Sequence, residues 1–332
     1  MLKHLISSAV LSASLLGSIT AYGQSTEDKT SVSNWPTKPI RWVVPYAPGG
    51  LSDTSTRIIT KKIAENTGWT IIIENKPGAN ALIGSEFVAK APVDGYNFVT
   101  VLAAHSVNPT LYAGNLNFDP LKSLTPVSLI GITPLLISVN NNLPVKDVKE
   151  LIAYAKANPG KITYGSSGIG AAAHMATELL KLTADIDMVH APYKGSALAL
   201  QDLIGNNIQV FIDTAPTLMP QVRNGRIRAL AVMSNKRIPG ASEVPTMTEA
   251  GGPDIESATW SMILAASGTP KEIIQRVALE TQKAVNSPDI KARFDTLGLE
   301  GVGSNPPDTA KFLNEEVVKM AKIIKSKNIK PE

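Results

Sequence analysis

The chain has 332 residues, a formal net charge of +4 at pH 7 and no cysteine. This length suggests two domains of ordinary size. Without cysteine, neither a disulfide framework nor a lipid anchor on an N-terminal cysteine is expected. The charge excess is mild, and Lys and Arg do not cluster with aromatic residues, so we expect no nucleic-acid partner.

The first residues have the layout of a secretory signal peptide. Lys3 supplies a positive charge, an uncharged apolar run follows, and Ala21-Tyr22-Gly23 forms a small-x-small pattern. We therefore predict a signal peptide over residues 1–23, cleaved near Gly23, and a protein exported to the periplasm. An uncleaved membrane anchor is the alternative.

Strands and helices alternate along the rest of the chain. Short β-branched or aromatic runs predict strands over 40–46, 70–74, 98–103, 162–165, 187–193, 209–213 and 227–233. Periodic apolar positions predict helices over 52–65, 85–90, 146–158, 172–182, 196–204 and 216–224, with further helices starting at 270, 288 and 308. This alternation favours an α/β fold with parallel βαβ units.

The pattern occurs in two similar halves, separated by the long segments 125–140 and 255–265. We interpret these segments as two crossings between lobes. Lobe 1 is then discontinuous, with residues 24–131 and 256–332, and lobe 2 has residues 132–255. Two crossings make a hinge, and hinge closure is a known way to enclose a ligand.

A glycine-rich loop follows the first strand and opens the first helix. Its residues are Tyr46, Ala47, Pro48, Gly49, Gly50, Leu51, Ser52 and Asp53. Ligands bind at the carboxyl ends of parallel strands, and free N–H groups at a helix start favour an anion. Asp53 either accepts hydrogen bonds from a ligand or caps the helix. A tight turn without a ligand role is the alternative for the whole loop.

A second loop of the same kind begins at Gly165. Ser166 and Ser167 supply hydroxyl groups, and Gly168, Ile169, Gly170, Ala171 and Ala172 lead into the next helix. Two such loops, one per lobe, would face each other across a cleft. We therefore predict that they bind a small organic anion.

Part of this second loop matches the dinucleotide fingerprint, with Gly168, Gly170 and Ala173 at the required spacing. That fingerprint also needs an acidic residue at the end of the next strand, whereas Asp187 stands at its start. Residues 165–168 do not form the Gly-x-Ser-x-Gly motif of a serine nucleophile. We therefore predict neither a dehydrogenase nor another enzyme, and no cofactor or metal.

Three further strand ends supply candidate ligand contacts. His105 follows the third strand and could donate a hydrogen bond at neutral pH. Tyr193 could stack or donate a hydrogen bond, and Lys194 could add charge. Asp213 could face the cleft or cap the next helix.

Several segments carry a family resemblance over nearly the whole mature chain. They are 35–40 (WPTKPI), 44–50 (VPYAPGG), 74–79 (ENKPGA), 94–96 (DGY), 189–195 (VHAPYKG) and 244–251 (VPTMTEAG). In these segments the chain resembles the extracytoplasmic solute receptors of tripartite tricarboxylate transporters, the Bug-type family.

The resemblance implies a two-lobed periplasmic binding protein of the type II-like, Venus-flytrap kind. It implies a small carboxylate ligand held by 46–53 and 166–174 and delivered to membrane permease subunits. We expect the receptor to be monomeric. A periplasmic sensor that works with a signalling partner, and an exported hydrolase, are the alternatives.

The chain departs from the family pattern beside both loops. Ala171, Ala172 and Ala173 stand where many members carry Ser or Thr, and Leu51 is larger than usual. Fewer hydroxyl groups suggest an apolar pocket wall. Our hypothesis is a carboxylate with an aromatic or otherwise apolar body.

Overall fold

The structure is a computed structural model that describes residues 34–193 and 195–331. The predicted signal peptide lies outside these residues. From Trp35 onward the described chain forms one compact unit. Within this part of the chain, no helix has the length and apolar character needed to cross a membrane.

Strands and helices alternate as the sequence predicts. The strands are β1 Ile40–Val44, β2 Ile71–Asn75, β3 Asn97–Val101, β4 Leu124–Asn140, β5 Thr163–Ser166, β6 Val189–Pro192, β7 Val210–Thr214, β8 Ile227–Val232, β9 Ala258–Ala266 and β10 Glu300–Gly301. The helices are α1 Leu51–Thr67, α2 Leu82–Ala89, α3 Ala104–Leu111, α4 Val148–Ala157, α5 Ala172–Ala184, α6 Ser196–Ile204, α7 Ala215–Arg223, α8 Lys271–Asn286, α9 Pro288–Thr296 and α10 Pro306–Lys327.

The predicted parallel units are confirmed in both halves. β2, β1 and β3 are parallel neighbours, and so are β6, β5 and β7. β9 and β4 are antiparallel to their neighbours, so the whole sheet is mixed. Buried apolar side chains such as Trp42, Phe98 and Phe211 fix the strands against the helices on each face.

β4 is shared between the two halves of the sheet. Its first part, from Leu124 to Pro134, pairs with β9, and its second part, from Leu135 to Val139, pairs with β7. This strand spans the first predicted crossing. β9 begins at Ala258 and pairs with β3 and β4, close to the second predicted crossing. The lobe boundaries themselves stay a prediction.

The sequence analysis missed α3, which carries Pro109 in its interior. Proline lacks the N–H group of an interior helix position, so its presence argues against a helix. In the structure the helix is only eight residues long, and its packing outweighs the lost bond. Val107 and Leu111 on α3 pack with Met175 on α5 and Met320 on α10.

A close backbone approach at Gly131 generates a stability prediction. A Cβ there would lie 2.5 Å from the carbonyl oxygen of Glu300 and 3.0 Å from the Leu299 side chain. We expect Gly131→Ala to lower the free energy of unfolding by about 2 kcal/mol through overpacking, measured by urea denaturation.

Gly205→Ala is the control, because the nearest atom to its added Cβ lies 3.4 Å away and its φ is −76°. Equal stability of the two variants would contradict the close approach of β10 to β4.

Candidate functional site

The first glycine-rich loop is held in place by the side chain of Asp53. This buried carboxylate accepts a hydrogen bond from the Gly49 N–H at 3.0 Å and from Asn75 Nδ2 at 3.0 Å. Arg57 Nε donates to it at 2.9 Å. The Arg57 bond, together with those of Gly49 and Asn75, lowers the pKa of Asp53 to about 2 against the effect of burial. The carboxylate is therefore charged at neutral pH and fixes the backbone at Gly49.

The sequence analysis missed Arg57 and Asn75 as parts of this site. The Asp53–Arg57 spacing of four residues was an available signal, because such pairs meet on one helix face. Asn75 belongs to the segment that carries the family resemblance. Since Asp53 already binds these groups, its structural role is to shape the loop, and a direct bond to a ligand stays a prediction.

Tyr46 ties the same loop to the end of β3. Its hydroxyl oxygen accepts a hydrogen bond from the Leu102 N–H at 3.1 Å, and its backbone carbonyl accepts one from Asn75 Nδ2 at 3.1 Å. Burial raises the pKa of the Tyr46 hydroxyl, so it stays protonated. Beyond it, residues 47–50 are exposed and Leu51 is half-buried.

Helices that begin at this edge of the sheet have free first-turn N–H groups. Within the described chain, no side-chain hydrogen bond caps α1 at Gly50, α5 at Ala171 or α7 at Thr214. Asp147 caps α4 and Asn305 caps α10, whereas α8 at Pro270 and α9 at Ser287 also lack a side-chain cap among the described residues, so an uncapped start is not peculiar to this edge. Uncapped N–H groups need an acceptor, and an anion is the acceptor that the helix dipole favours.

The second loop is anchored at Ser166, which is fully buried. The Ser166 hydroxyl lies 2.6 Å from His190 Nε2, and 3.1 and 3.2 Å from the carbonyl oxygen and the N–H of Gly168. Sequence reasoning did not bring Ser166 and His190 together. Because the hydroxyl bonds both backbone groups of Gly168, its local role is to hold the turn.

A second histidine fixes the other end of this loop. The Gly170 N–H donates to His174 Nδ1 at 3.1 Å. The rings of His174 and His190 stack with centroids 4.0 Å apart, and Tyr164 stacks on His190 at 4.8 Å. The stack therefore holds both ends of the loop.

Both histidines are uncharged at neutral pH. Burial lowers the pKa of each to about 4, and the charge of Glu178 opposes this shift. The Glu178 carboxylate already accepts hydrogen bonds from the Tyr164 hydroxyl at 2.6 Å and from Lys181 Nζ at 2.8 Å. A neutral ring leaves His174 Nδ1 free to accept the Gly170 hydrogen bond.

The second loop also touches lobe 1. A Cβ on Gly170 would lie 2.8 Å from Leu111 Cδ2 and 3.1 Å from Val107 Cγ1, both on α3. Its φ of +76° also favours glycine. Gly170 therefore allows a close contact between the two lobes beside the predicted ligand loops, while Ser167 and Ala171 near it are half-buried.

His105 is buried, and burial lowers its pKa to about 4 while the backbone of Pro120 opposes the shift. Its Nε2 has no hydrogen-bond partner within 34–193 and 195–331. The ring packs within lobe 1, near the segment that leads into β4, and a contact with a ligand stays a prediction.

The remaining strand-end residues belong to local networks. The Tyr193 hydroxyl donates to Asp202 Oδ2 at 2.6 Å, so its predicted donation to a ligand is already used in this conformation. Asp213 accepts bonds from Ser196 Oγ at 2.5 Å and the Thr214 N–H at 2.6 Å. Burial raises the pKa of Asp213 and these bonds oppose the shift. Lys194 lies outside the described residues.

The three alanines after Gly170 do not share one environment. Ala173 is buried among Leu136 and Phe211 in the core of lobe 2, so the expectation that it lines the pocket wall is wrong. Ala172 packs against core clusters of both lobes. Ala171 is half-exposed beside the loop. The hypothesis of an apolar pocket wall therefore rests on Ala171 and Leu51.

Comparison with known proteins identifies this architecture. Solved structures similar to this chain include the periplasmic binding protein BugD and a periplasmic transporter, so the fold is the two-lobed α/β fold of periplasmic binding proteins. The sequence profile of TctC, the tripartite tricarboxylate transporter family receptor, matches residues 55–329. The chain therefore belongs to this family, as the resemblance predicted.

Two relatives illustrate the match in sequence. The chain is 33% identical over 311 residues to the UPF0065 protein of the tcbD-tcbE intergenic region in Pseudomonas sp. strain P51, covering 93% of this chain and 92% of the relative. It is 31% identical over 304 residues to Protein BugT of Bordetella pertussis, covering 90% and 92%.

Three solved structures illustrate the match in fold. Rpa4515 of R. palustris with adipate has 34% identity and a TM-score of 0.81, over 90% of this chain and 100% of that one. BugD has 32% identity and a TM-score of 0.77, over 90% and 100%. MatC of Rhodopseudomonas palustris with bound malate has 27% identity and a TM-score of 0.76, over 87% and 99%.

The anchoring of the first loop predicts the effect of Asp53→Asn. The substitution removes the charge paired with Arg57 and replaces one of the two oxygens that accept from Gly49, Arg57 and Asn75 with an amide group that cannot accept. We expect the free energy of unfolding to fall by about 2 kcal/mol and ligand binding to weaken, measured by denaturation and calorimetry.

Asp289→Asn is the matched control, because it removes an ion pair with Lys62 in the second half of α1, where the Asp289 carboxylate is exposed. Unchanged stability and binding in the Asp53 variant would show that the loop does not depend on this carboxylate.

The burial of His174 and the partial burial of His190 predict acid sensitivity. Their folded-state pKa of about 4 lies below the ordinary 6.5. The contribution of the two neutral histidines to folding stability is therefore fully present above pH 6.5 and is lost as the pH falls toward 4. Each histidine steepens that loss by up to about 1.4 kcal/mol per pH unit.

We expect His174→Asn, which keeps an acceptor near Gly170 but cannot titrate, to flatten the stability–pH profile between pH 6.5 and 4. The profile is measured by thermal denaturation over that range. A profile identical to that of the wild-type protein would contradict the buried, neutral state of His174.

Proposed function

We propose that this protein is a periplasmic receptor that captures a small carboxylate with an apolar body between its lobes. The observation that carries the proposal is the pair of glycine-rich loops at the ends of β1 and β5. Each loop opens a helix without a side-chain cap, α1 at Gly50 and α5 at Ala171. A carboxylate can accept hydrogen bonds from such N–H groups without a buried counter-charge.

The relatives support a carboxylate ligand. One similar structure was solved with adipate and another with malate. A dicarboxylate would place one anionic group near each loop, and its carbon chain would lie between Leu51 and Ala171. Adipate has an unbranched methylene chain, which suits these apolar side chains better than the hydroxylated malate.

Membership of the family supports delivery to a transporter. We propose that the mature, monomeric protein begins near Gln24, after cleavage of the signal peptide. It binds the ligand between lobe 1 (24–131 and 256–332) and lobe 2 (132–255), and hands it unchanged to membrane permease subunits. The ligand contacts we propose are residues 46–51, Asp53, His105, Ser166, Ser167, Gly170, Ala171, Ala172, Tyr193 and Asp213.

A panel of carboxylates measured by thermal shift tests the proposed ligand class. A ligand at a hundred times its Kd stabilises the folded state by about 2.7 kcal/mol. We expect adipate or aromatic mono- and dicarboxylates to raise the melting temperature more than citrate or malate. Stabilisation by citrate or malate alone would contradict the apolar body.

Mass spectrometry of the ligand after its release tests whether the protein converts the ligand chemically. We expect its mass to be unchanged after prolonged incubation with the protein. A product of altered mass would favour the exported hydrolase instead.

A further inference from the structure

Thr133 is an unexplained polar residue in the shared strand β4. Its side chain is fully buried, and its hydroxyl has no hydrogen-bond partner among the residues that the structure describes. A buried hydroxyl without a partner is unfavourable, so such groups in native proteins call for an explanation. A ligand that completes the hydrogen bond is one such explanation.

The strand pairing shows which face Thr133 occupies. Its neighbours Ile132 and Pro134 line a cavity of about 330 Å³ on one face of β4. Side chains alternate along a strand, so Thr133 points to the opposite face. On that face it stands across from Thr259, while Gly131 stands across from Ser261.

The opposite face is the one against which α1 packs. Ser261 Oγ lies 3.0 Å from Ser55 Oγ, in the first part of α1. The Ser52 hydroxyl of the same helix donates to the Thr100 carbonyl near the end of β3, at 2.9 Å. Thr133 is therefore on the side of the sheet where the glycine-rich loop enters α1.

The registers also place Thr133 between the carboxyl ends of strands from both lobes. β3 ends where Val101 pairs with Met262, so Thr259 and its partner Thr133 lie beyond that end. On the other side, Leu135 pairs with Thr214, the last residue of β7 and the residue before α7. Ligands of α/β proteins bind outside these strand ends.

We propose that the Thr133 hydroxyl is a ligand-binding group at the floor of the cleft, where it donates a hydrogen bond to a carboxylate oxygen of the bound ligand. This inference rests on the proposed function and adds a residue outside both glycine-rich loops. Because Thr133 lies on the strand that both lobes share, its ligand bond forms at the hinge and not on either lobe alone.

The test compares Thr133→Val with Thr133→Ser in the full mature protein. Valine keeps the shape of threonine and removes the hydroxyl, whereas serine keeps the hydroxyl. The probe is adipate, and its Kd is measured by isothermal titration calorimetry. Thr281→Val is the matched control, because Thr281 is equally buried but its hydroxyl donates to the Val277 carbonyl at 2.8 Å.

We expect Thr133→Val to weaken adipate binding on the order of 10- to 100-fold, as for loss of a hydrogen bond to a charged group. Thr133→Ser should bind within a few-fold of the wild-type protein. In the absence of ligand, Thr133→Val should melt at the same or a higher temperature, since it loses no hydrogen bond. Thr281→Val should melt lower and keep its affinity for adipate.

Equal affinity of the Thr133→Val variant and the wild-type protein overturns the inference and leaves the proposed function intact, because another group, such as a bound water, then serves the hydroxyl. A ligand-free Thr133→Val variant that melts well below the wild-type protein also overturns it, because the hydroxyl then has a structural partner. If the wild-type protein binds neither adipate nor any member of the carboxylate panel, the proposed function fails, and with it the ligand role of Thr133.

Discussion

The continuity of β4 is the constraint on which the rest of the structure depends. The first part of this 17-residue strand pairs with β9 in the sheet of lobe 1, and its second part pairs with β7 in the sheet of lobe 2. The carboxyl ends of β1 and β3 in one lobe and of β5 and β7 in the other are thereby brought to a common region. Every candidate ligand group depends on this arrangement, because each follows one of these strand ends, follows the neighbouring β6 in the case of Tyr193, or lies on β4 itself.

The loops at that region are held by side chains that sequence reasoning assigned to the ligand. Asp53 binds Gly49 and Arg57, and Ser166 binds Gly168 and His190. Their bonds fix the backbone N–H groups in position before a ligand arrives. Preorganised donors of this kind reduce the entropy lost on binding, which is how a site with few charges can hold an anion.

The sequence predicted the parallel strand–helix units and both loops, but it did not predict that the two crossing segments form the strands β4 and β9. Period-two and helical patterns are local, and so are glycine-rich turns, which is why α6 was predicted with its observed bounds. The stacking of His174 on His190 and the packing of Ala173 depend on residues distant in the chain, so no local pattern contains them. α3 was missed because local propensity at Pro109 opposes the packing that forms it.

Thr133 marks a related limit of sequence reasoning. A threonine in an apolar strand is ordinary, and only the registers with β9 and β7 show where its hydroxyl lies. The lone hydroxyl is informative because a buried hydroxyl on the same face of the sheet, that of Ser261, has a partner in Ser55.

Gly170 has a consequence beyond the ligand contact proposed for its loop. The missing side chain there lets the second loop rest on Leu111 and Val107 of the other lobe. A larger residue would clash with these two side chains and disfavour this contact between the lobes. Apparent affinity scales with the fraction of binding-competent molecules, so a substitution at this position would change the strength of capture through the lobe contact as well as through the ligand contact.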